Sequence, residues 1–310
     1  MRDYVLFGDC RDSLKIIANE AEKARMCVTS PPYYGLRDYG GEENQIGQEQ
    51  SPEQYVEEMV KVFALVRDCI TDDGTLWLNI GDSYYNYRSD GNYPQQTVSK
   101  TRQDLPQSTP VRGNKLKGYK SKDLIGIPWM LAFALRADGW YLRQDIIWHK
   151  PNPMPESVRD RCTKSHEYIF LLSKSKNYYY DNEAIKEPAK DWGTRDRSKG
   201  KYHNPGTGLQ PHSGLTKSYT KKNKRSVWSV NKKPYKGAHF ATYPEELIEP
   251  CILAGSEKGD IVLDPFMGSG TTAVVAKKNS RSYYGCELHK EYASLQTDRI
   301  RTIPNKLPLY

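Results

Sequence analysis

The chain has 310 residues and a formal net charge of +8, a length that suits one α/β domain with an elaboration. No apolar run approaches the roughly 18 to 20 residues that span a bilayer, and the N-terminus lacks the apolar core of a signal peptide. The six cysteines are scattered without the paired spacing of zinc sites, so we expect a cytoplasmic protein with reduced cysteines and no structural metal.

The positive charge is concentrated in two segments. Residues 195–237 carry twelve lysines and arginines against one aspartate, and residues 86–122 carry eight against two aspartates. The remainder of the chain is acidic, with a net charge of −9. Two solvated loops would have the same composition, but the interleaved tyrosine, histidine and tryptophan residues favour a surface that contacts nucleic acid.

Alternating strand and helix patterns predict a doubly wound, mostly parallel α/β sheet with helices on both faces. In the first 180 residues the patterns place strands at 4–7, 26–29, 75–80, 141–149 and 167–173, and helices at 13–21, 55–70 and 127–138. The last two strands are expected to form a hairpin-like pair at the edge of the sheet. The strand at 26–29 leads directly into Ser30-Pro31-Pro32-Tyr33, where two prolines end ladder pairing and stiffen the turn.

Periodicity fails between residues 181 and 237, where Gly, Pro, Ser, Lys and Asn dominate. It returns with a helix that is expected to begin near Pro244. Further along, the patterns place strands at 260–263 and 282–286, and helices at 271–278 and up to residue 301. The C-terminal part therefore resumes the alternation of strands and helices.

A glycine-rich turn, Asp264-Pro265-Phe266-Met267-Gly268-Ser269-Gly270-Thr271-Thr272, follows the strand at 260–263. Glycines at such a turn let the backbone approach a ligand at the carboxyl end of a parallel sheet. A P-loop would need a lysine before the threonines, so a nucleoside triphosphatase is not expected. The turn also fits the dinucleotide pattern G-x-G-x-x-A, with Glu287 placed 17 residues beyond Gly270, so the glycines alone leave NAD and S-adenosylmethionine open.

The residues that precede the glycines favour S-adenosylmethionine. This molecule has no pyrophosphate to place at a helix N-terminus, but it carries a cationic sulfonium and an α-amino group. A carboxylate at a strand end attracts both cations, and Asp264 occupies that position.

The two motifs and their order resemble the β group of DNA amino-methyltransferases, in which the catalytic loop precedes the cofactor loop. The Ser-Pro-Pro-Tyr loop resembles the catalytic loop, and the form with serine is usual in cytosine-N4 enzymes. The resemblance extends through residues 145–157 and 164–170. It implies S-adenosyl-L-methionine as cofactor and double-stranded DNA as substrate. It also implies a nucleoid-associated monomer or homodimer, acting alone or beside a restriction endonuclease for the same site.

The resemblance also implies cofactor contacts. Asp264 would contact the amino-acid end, Phe266 the adenine or ribose, and Glu287 the ribose hydroxyls. Residues 239–248 would bound the methionine part of the pocket, and Asp9 would reach the adenine, although a simple acidic turn explains Asp9 equally well. The expected cofactor residues are Asp9, Thr29, Phe240, Pro244, Asp264, Pro265, Phe266, Gly268, Ser269, Gly270, Thr271 and Glu287.

The expected catalytic residues are Ser30, Pro31, Pro32 and Tyr33. An exocyclic base amine is a poor nucleophile because its lone pair is delocalised into the ring. If the Ser30 hydroxyl and the Pro31 carbonyl accept its two N–H bonds, the nitrogen becomes more tetrahedral and more nucleophilic, and direct in-line displacement on the sulfonium needs no covalent intermediate. The base must flip out of the duplex, and Tyr33 is the expected stacking ring.

Three parts of the chain are expected from this resemblance. Residues 1–180 form the catalytic part with a basic insert at 86–122, residues 181–238 the target-recognition region, and residues 239–310 the cofactor-binding part. Phosphate contacts would fix affinity and register. The expected DNA-binding residues are Arg195, Arg197, Lys221, Lys222, Lys224 and Arg225.

Four other functions compete with cytosine-N4 methylation. Adenine-N6 methylation is the nearest, although adenine enzymes usually carry Asp or Asn in place of Ser30. Enzymes that methylate a protein or RNA amide place the cofactor loop first, so the motif order speaks against them. An NAD-dependent oxidoreductase and a non-catalytic DNA-binding module are more distant, and the latter would not need an intact glycine-rich turn.

Overall fold

The computed structural model describes residues 2–35, 45–85, 116–189, 220–232 and 243–303. The strands are β1 Tyr4–Phe7, β2 Ala24–Thr29, β3 Ile70–Ile80, β4 Tyr141–His149, β5 His166–Ser173, β6 Glu187–Pro188, β7 Lys221–Lys222, β8 Val227–Ser229, β9 Ile261–Asp264 and β10 Ser282–Glu287. The helices are α1 Cys10–Ala18, α2 Pro52–Cys69, α3 Ile127–Ala137, α4 Glu245–Gly255, α5 Thr271–Lys278 and α6 Tyr292–Arg301.

Eight of these strands form one sheet in the order β1-β10-β9-β2-β3-β5-β4-β8. The first five strands in this order run parallel to one another, whereas β5 is antiparallel to both β3 and β4. β6 and β7 form a separate antiparallel pair. The predicted doubly wound, mostly parallel α/β fold is confirmed.

Two apolar cores cover the two faces of the sheet. Buried residues of α1, α2 and α3 form one core, and buried residues of α4 and α5 form the other. Successive residues of β3 show the division, because Leu76 and Leu78 pack into the first core and Trp77 into the second. The sheet is therefore buried on both faces, as parallel sheets are.

α1 begins and ends earlier than the predicted range of 13–21. The Asp9 carboxylate accepts a hydrogen bond from the Arg11 amide at 2.8 Å and caps the helix at its N-terminus. The apolar spacing marked the buried face of the helix, but it did not show this polar first turn.

β3 begins directly after α2, at Ile70, and not at Thr75 as predicted. Ala24 pairs with Ile70 and Met26 pairs with Thr75, so the intervening residues of β3 bulge outwards. The Asp73-Gly74 pair, which was expected to separate helix from strand, lies within this bulge.

β4 and β5 pair antiparallel as predicted, but they do not form the edge of the sheet. β8 pairs parallel with β4 and occupies the edge. This strand belongs to the segment 181–238, so part of the expected target-recognition region joins the main sheet. A three-residue strand is too short to show an alternating pattern, which explains why the sequence did not reveal it.

Within the described ranges, no helix combines the length and the apolar character that a membrane span requires.

Candidate active site

The two sequence motifs meet where β9 and β2 lie side by side. The sheet continues from these strands to β10 and β1 on one side and to β3 on the other, and such a switch point opens a crevice at the carboxyl ends of the parallel strands. Asp264 ends β9 and Thr29 ends β2. The Thr29 hydroxyl donates to Oδ1 of Asp264 at 2.6 Å, across 235 positions of sequence.

The Asp264 carboxylate is 1 % exposed and is surrounded by donors. Oδ1 accepts from the Thr29 hydroxyl and from the Phe266 amide at 3.0 Å. Oδ2 accepts from the hydroxyls of Tyr243 at 3.0 Å and Thr272 at 2.5 Å. Burial raises the pKa of Asp264, and these hydrogen bonds act in the opposite direction. The Tyr243 and Thr272 hydroxyls also contact each other, so the groups that face the carboxylate form one connected hydrogen-bond cluster.

Sequence analysis missed two of these partners, Tyr243 and Thr272. Tyr243 lies in the segment 239–248 that was expected to bound the pocket, but only Phe240 and Pro244 were selected from it. Phe240 lies outside the described residues, and Pro244 is the buried N-cap of α4. The available signal was the tyrosine itself, because a buried hydroxyl needs a polar partner.

The glycine-rich turn depends on two residues with positive φ. Gly268 has φ 52°, and Gly270, the N-cap of α5, has φ 83°; side chains other than glycine rarely adopt this conformation. Gln296 of α6 donates to the Gly268 carbonyl at 2.7 Å. A Cβ on Gly270 would lie 3.3 Å from Cγ of the same glutamine. The turn is therefore shaped from behind by α6, which the sequence predicted only as a last helix.

Ser269 and Thr271 direct their hydroxyls towards α6. Arg299 donates to the hydroxyl of Ser269 at 2.6 Å and to that of Thr271 at 3.1 Å. Both residues are buried. Their side chains fix the turn, so we expect any contact with a cofactor to come from their backbone amides.

Glu287 ends β10, next to β9 in the sheet, and is 7 % exposed. Its Oε2 accepts from the Gly268 amide at 2.7 Å, and its Oε1 accepts from the His289 amide at 2.9 Å. Burial raises the pKa of Glu287. Within the described residues each carboxylate oxygen accepts one hydrogen bond and retains a lone pair, an arrangement that suits the two vicinal hydroxyls of a ribose.

The other predicted cofactor residues lie around the same end of the sheet. The Gly8 amide donates to the Glu287 carbonyl at 2.8 Å, which brings Asp9 to this end. The Asp9 carboxylate caps α1 and pairs with Arg11 at 2.6 Å, so a structural role accounts for its side chain. In the glycine-rich turn, Pro265 is buried and Phe266 is half-buried.

The Ser-Pro-Pro-Tyr loop continues from β2 at the same switch point. Tyr55 of α2 donates its hydroxyl to the Pro32 carbonyl at 2.8 Å and holds the loop against the first core. Pro31 is buried, and Ser30 is half-buried. The Ser30 hydroxyl makes a long contact of 3.5 Å, as donor, to the Tyr33 hydroxyl.

The Tyr33 hydroxyl donates to Oε2 of Glu167 at 2.8 Å. Burial and the negative charge of Glu167 raise the pKa of Tyr33 well above its ordinary value. The ring passes close to Gly81, where a Cβ would lie 2.6 Å from Cε2 of Tyr33. The Tyr33 ring, which is expected to stack on the base, is thus fixed by the hydrogen bond of its hydroxyl to Glu167 and by the close contact of one ring edge with Gly81.

Two of the six predicted DNA-binding residues, Arg195 and Arg197, lie outside the described residues. The others lie in β7 or between β7 and β8: Lys221, Lys222, Lys224 and Arg225. Lys222 and Arg225 contact Oε1 of Glu187 in β6, at 3.3 and 2.6 Å. The other two have no carboxylate partner within the described residues, so they carry the uncompensated charge.

Comparison with known proteins identifies the family. The model of the DNA methylase family matches residues 24–298. The chain belongs to this DNA methylase family. It is 49 % identical over 302 residues to the Type II methyltransferase M.XycI of Xanthomonas campestris pv. cyanopsidis, which covers 97 % of this chain and 89 % of the relative. It is also 48 % identical over 296 residues to the Type II methyltransferase M.SmaI of Serratia marcescens, and this alignment covers 96 % of this chain and 90 % of the relative.

Solved structures share the fold at low sequence identity. The PvuII DNA methyltransferase, described as cytosine-N4-specific, aligns with a TM-score of 0.61 and 17 % identity over 99 % of this chain and 88 % of that one. TTHA0409 of Thermus thermophilus, solved with S-adenosyl-L-methionine, aligns with a TM-score of 0.58 and 23 % identity. This alignment covers 96 % of this chain and 93 % of that chain.

These comparisons confirm the predicted DNA amino-methyltransferase family and its cofactor, S-adenosyl-L-methionine. The dinucleotide alternative, which the glycine spacing alone left open, does not apply to this DNA methylase. Its substrate is DNA.

Replacing Tyr243 by phenylalanine tests the donor cluster around Asp264. Tyr243→Phe removes one of three hydroxyl donors, so we expect the free energy of unfolding to fall by about 1 to 2 kcal/mol. We also expect weaker binding of S-adenosyl-L-methionine, because the carboxylate is then held less firmly. Thermal unfolding with and without the cofactor measures both effects.

The matched control is Tyr4→Phe, which removes a hydrogen bond of 3.2 Å to Glu20 at the opposite end of the sheet. This change should affect stability alone. Cofactor affinity at the parent level in Tyr243→Phe would contradict the role given to the donor cluster.

Proposed function

We propose that this DNA methylase transfers a methyl group to the N4 amine of cytosine at a specific site in duplex DNA. One observation carries the proposal. Ser30 directly follows Thr29, whose hydroxyl bonds the Asp264 carboxylate. The serine that would accept the base amine and the carboxylate that would attract the sulfonium therefore stand at the ends of adjacent strands.

The cofactor supplies an activated methyl group on a sulfonium. The residues at the switch point fit it, because each oxygen of Glu287 has a lone pair left for a ribose hydroxyl. Asp264 is surrounded by donors from the protein, so we expect it to act mainly through its negative charge and by shaping the turn. Gly268 and Gly270 keep side chains out of the approach to the backbone.

The catalytic loop would act on the base. The Ser30 hydroxyl and the Pro31 carbonyl accept hydrogen bonds from the amine and favour a tetrahedral nitrogen, while the Pro32 carbonyl is anchored by Tyr55. Tyr33 would stack on the flipped cytosine. Because the loop is stiff and anchored, it would hold the nitrogen in line with the methyl group without large rearrangement.

The biological setting is part of the same proposal. The named relatives are Type II methyltransferases, which supports a role as the modification enzyme of a restriction-modification pair, with an endonuclease that reads the same site. We assign catalysis to residues 1–180, target recognition to residues 181–238 and cofactor binding to residues 239–310. Action on chromosomal DNA would place the enzyme at the nucleoid, as monomer or homodimer.

The identity of the methylated base is the decisive measurement. The purified protein is incubated with mixed-sequence duplex DNA and methyl-labelled S-adenosyl-L-methionine, and the digested nucleosides are analysed by mass spectrometry. We expect N4-methylcytosine. N6-methyladenine would overturn the base assignment and support the alternative reaction on adenine, since Ser30 in the loop is a tendency of cytosine enzymes and not a chemical requirement.

Ser30→Ala tests the chemical role of the hydroxyl. Cofactor binding should stay close to the parent, because the side chain makes only one long contact within the described residues. The methyl-transfer rate should fall by about ten- to a thousandfold, the range for removal of one oriented hydrogen-bonding group. Single-turnover assays with saturating DNA measure the rate, and parent-level turnover would sink the mechanism.

Charge removal at the unpaired lysines tests the DNA surface. The double variant Lys221→Gln, Lys224→Gln should weaken DNA binding for all sequences and flatten the plot of log affinity against log salt by about 0.9 for each phosphate that is no longer neutralised. Removing Lys222 should have a smaller effect, because Glu187 already compensates its charge. The control pair Lys176→Gln, Lys258→Gln also has no carboxylate partner within the described residues; Lys176 follows β5 and Lys258 precedes β9, at the end of the sheet away from the switch point. An unchanged slope in the test pair would contradict the assignment.

A further inference from the structure

A buried ion pair stands next to the catalytic loop. Lys150 directly follows β4 and is 5 % exposed. Its ammonium contacts Oε1 of Glu167 and lies 4.2 Å from the centroid of the Trp148 ring. Burial lowers the pKa of Lys150, and Glu167 acts against this shift. Taking such a pair out of water is costly, so it is weak evidence for stability and calls for another role.

The pair ends a chain of hydroxyl groups that begins at Ser30. The Ser30 hydroxyl faces the Tyr33 hydroxyl as donor over a long contact of 3.5 Å, and the Tyr33 hydroxyl donates to Oε2 of Glu167 at 2.8 Å. An ionised carboxylate only accepts hydrogen bonds, and an ammonium only donates them. Lys150 and Glu167 together therefore dictate that the Tyr33 proton points away from Ser30.

This direction has a consequence for the serine. On the side that faces Ser30, the Tyr33 oxygen can then only accept a hydrogen bond. The single hydroxyl proton of Ser30 therefore points to Tyr33. Both lone pairs of the Ser30 oxygen then remain for other donors. An amine N–H is such a donor, whereas a serine proton pointing at the amine would repel it.

We propose that Glu167, held by Lys150, is a positioning residue that sets the direction of the Ser30-Tyr33-Glu167 hydrogen-bond chain, so that Ser30 meets the base amine as an acceptor. The inference rests on the proposed function in one respect, because it assumes that the amine approaches Ser30. Glu167 itself acts through Tyr33 and does not need to touch the base.

The packing around the chain supports this arrangement. A Cβ on Gly81 would lie 2.6 Å from Cε2 of Tyr33 and 3.3 Å from Cδ of Glu167, so glycine is what lets these two side chains approach. Asn79 offers Tyr33 a second acceptor, but at 3.4 Å and without charge. The shorter, charge-assisted bond to Glu167 prevails.

The substitution Glu167→Gln changes the direction of the hydrogen bonds at this position but keeps the size and shape of the side chain. The ammonium of Lys150 would attract the amide oxygen of the glutamine, which turns the amide NH₂ group towards Tyr33. The Tyr33 hydroxyl would then accept from this group, and its proton would be free to turn to Ser30 or Asn79. Size and packing stay nearly constant, but the direction of the chain is no longer fixed.

The experiment is a double-mutant cycle with Glu167→Gln and Tyr33→Phe, where phenylalanine keeps the ring and loses the hydroxyl. Each single change should lower the single-turnover methylation rate by about tenfold, the scale of one hydrogen bond. The cofactor dissociation constant should stay near the parent in both variants. The unfolding midpoint should fall slightly in Tyr33→Phe, which loses one hydrogen bond, and further in Glu167→Gln, which leaves the buried Lys150 ammonium without its counter-charge. In the Tyr33→Phe background, Glu167→Gln should have no further effect on the rate.

Independent, multiplying effects of the two changes would overturn the inference, and so would a parent-level rate in either single variant. If Glu167→Gln does not fold, Tyr33→Phe still decides, because it leaves the ion pair with Lys150 in place. The control cycle uses the Tyr4 and Glu20 hydrogen bond at the far end of β1, where neither Tyr4→Phe nor Glu20→Gln should change the rate.

The methylated nucleoside and the rates of the mutant cycle together distinguish a failure of this inference from a failure of the proposed function. A product of N6-methyladenine with non-additive rates would overturn the cytosine assignment and support the hydrogen-bond chain. A product of N4-methylcytosine with additive rates would support the base assignment and overturn the chain.

Discussion

The hydrogen bond between Thr29 and Asp264 is the contact on which the site depends. It joins the last residue of β2 to the last residue of β9 at 2.6 Å, at the place where the sheet order changes direction. One residue further, the chain is already in the catalytic loop on one side and in the glycine-rich turn on the other. A small shift between these two strands would therefore move the proposed base-binding and cofactor-binding loops relative to each other, and in-line transfer tolerates little misplacement.

Charge is distributed differently at this site and at the surface that we propose for DNA binding. Two buried carboxylates, Asp264 and Glu287, stand at neighbouring strand ends, and burial raises the pKa of both. The described basic residues Lys221, Lys222, Lys224 and Arg225 lie on β7 or between β7 and β8 and are not part of either apolar core, which suits the proposed contact with a polyanion. The acidic body of the chain keeps that attraction local, and Glu187 reduces it further near β7.

The sequence predicted the fold class and most strands, because buried parallel strands and amphipathic helices repeat over many residues. The resemblance to the methyltransferase family also singled out the two motifs that the fold brings together. The sequence could not predict the contacts made by Tyr243, Gln296 or Arg299, since these side chains act through geometry that has no spacing rule. The sequence did not reveal β8 because three residues show no alternation. It did not reveal the early start of α1 because that start depends on the Asp9 cap and not on apolar periodicity.

The topology of the sheet explains why the two motifs can occur in this order along the chain. In a parallel sheet the site is built from the carboxyl ends of strands, and what matters is which strands are neighbours. β9 lies beside β2 although 235 positions separate their bonded residues, so the cofactor loop works equally well when it comes last. The site does not constrain the order of the motifs along the chain. It constrains the direction of the side chains at the ends of the strands. There, the carboxylates of Asp264 and Glu167 accept hydrogen bonds from the hydroxyls of Thr29 and Tyr33, and we propose that the second of these bonds sets the chemistry of Ser30 from a position distant in sequence.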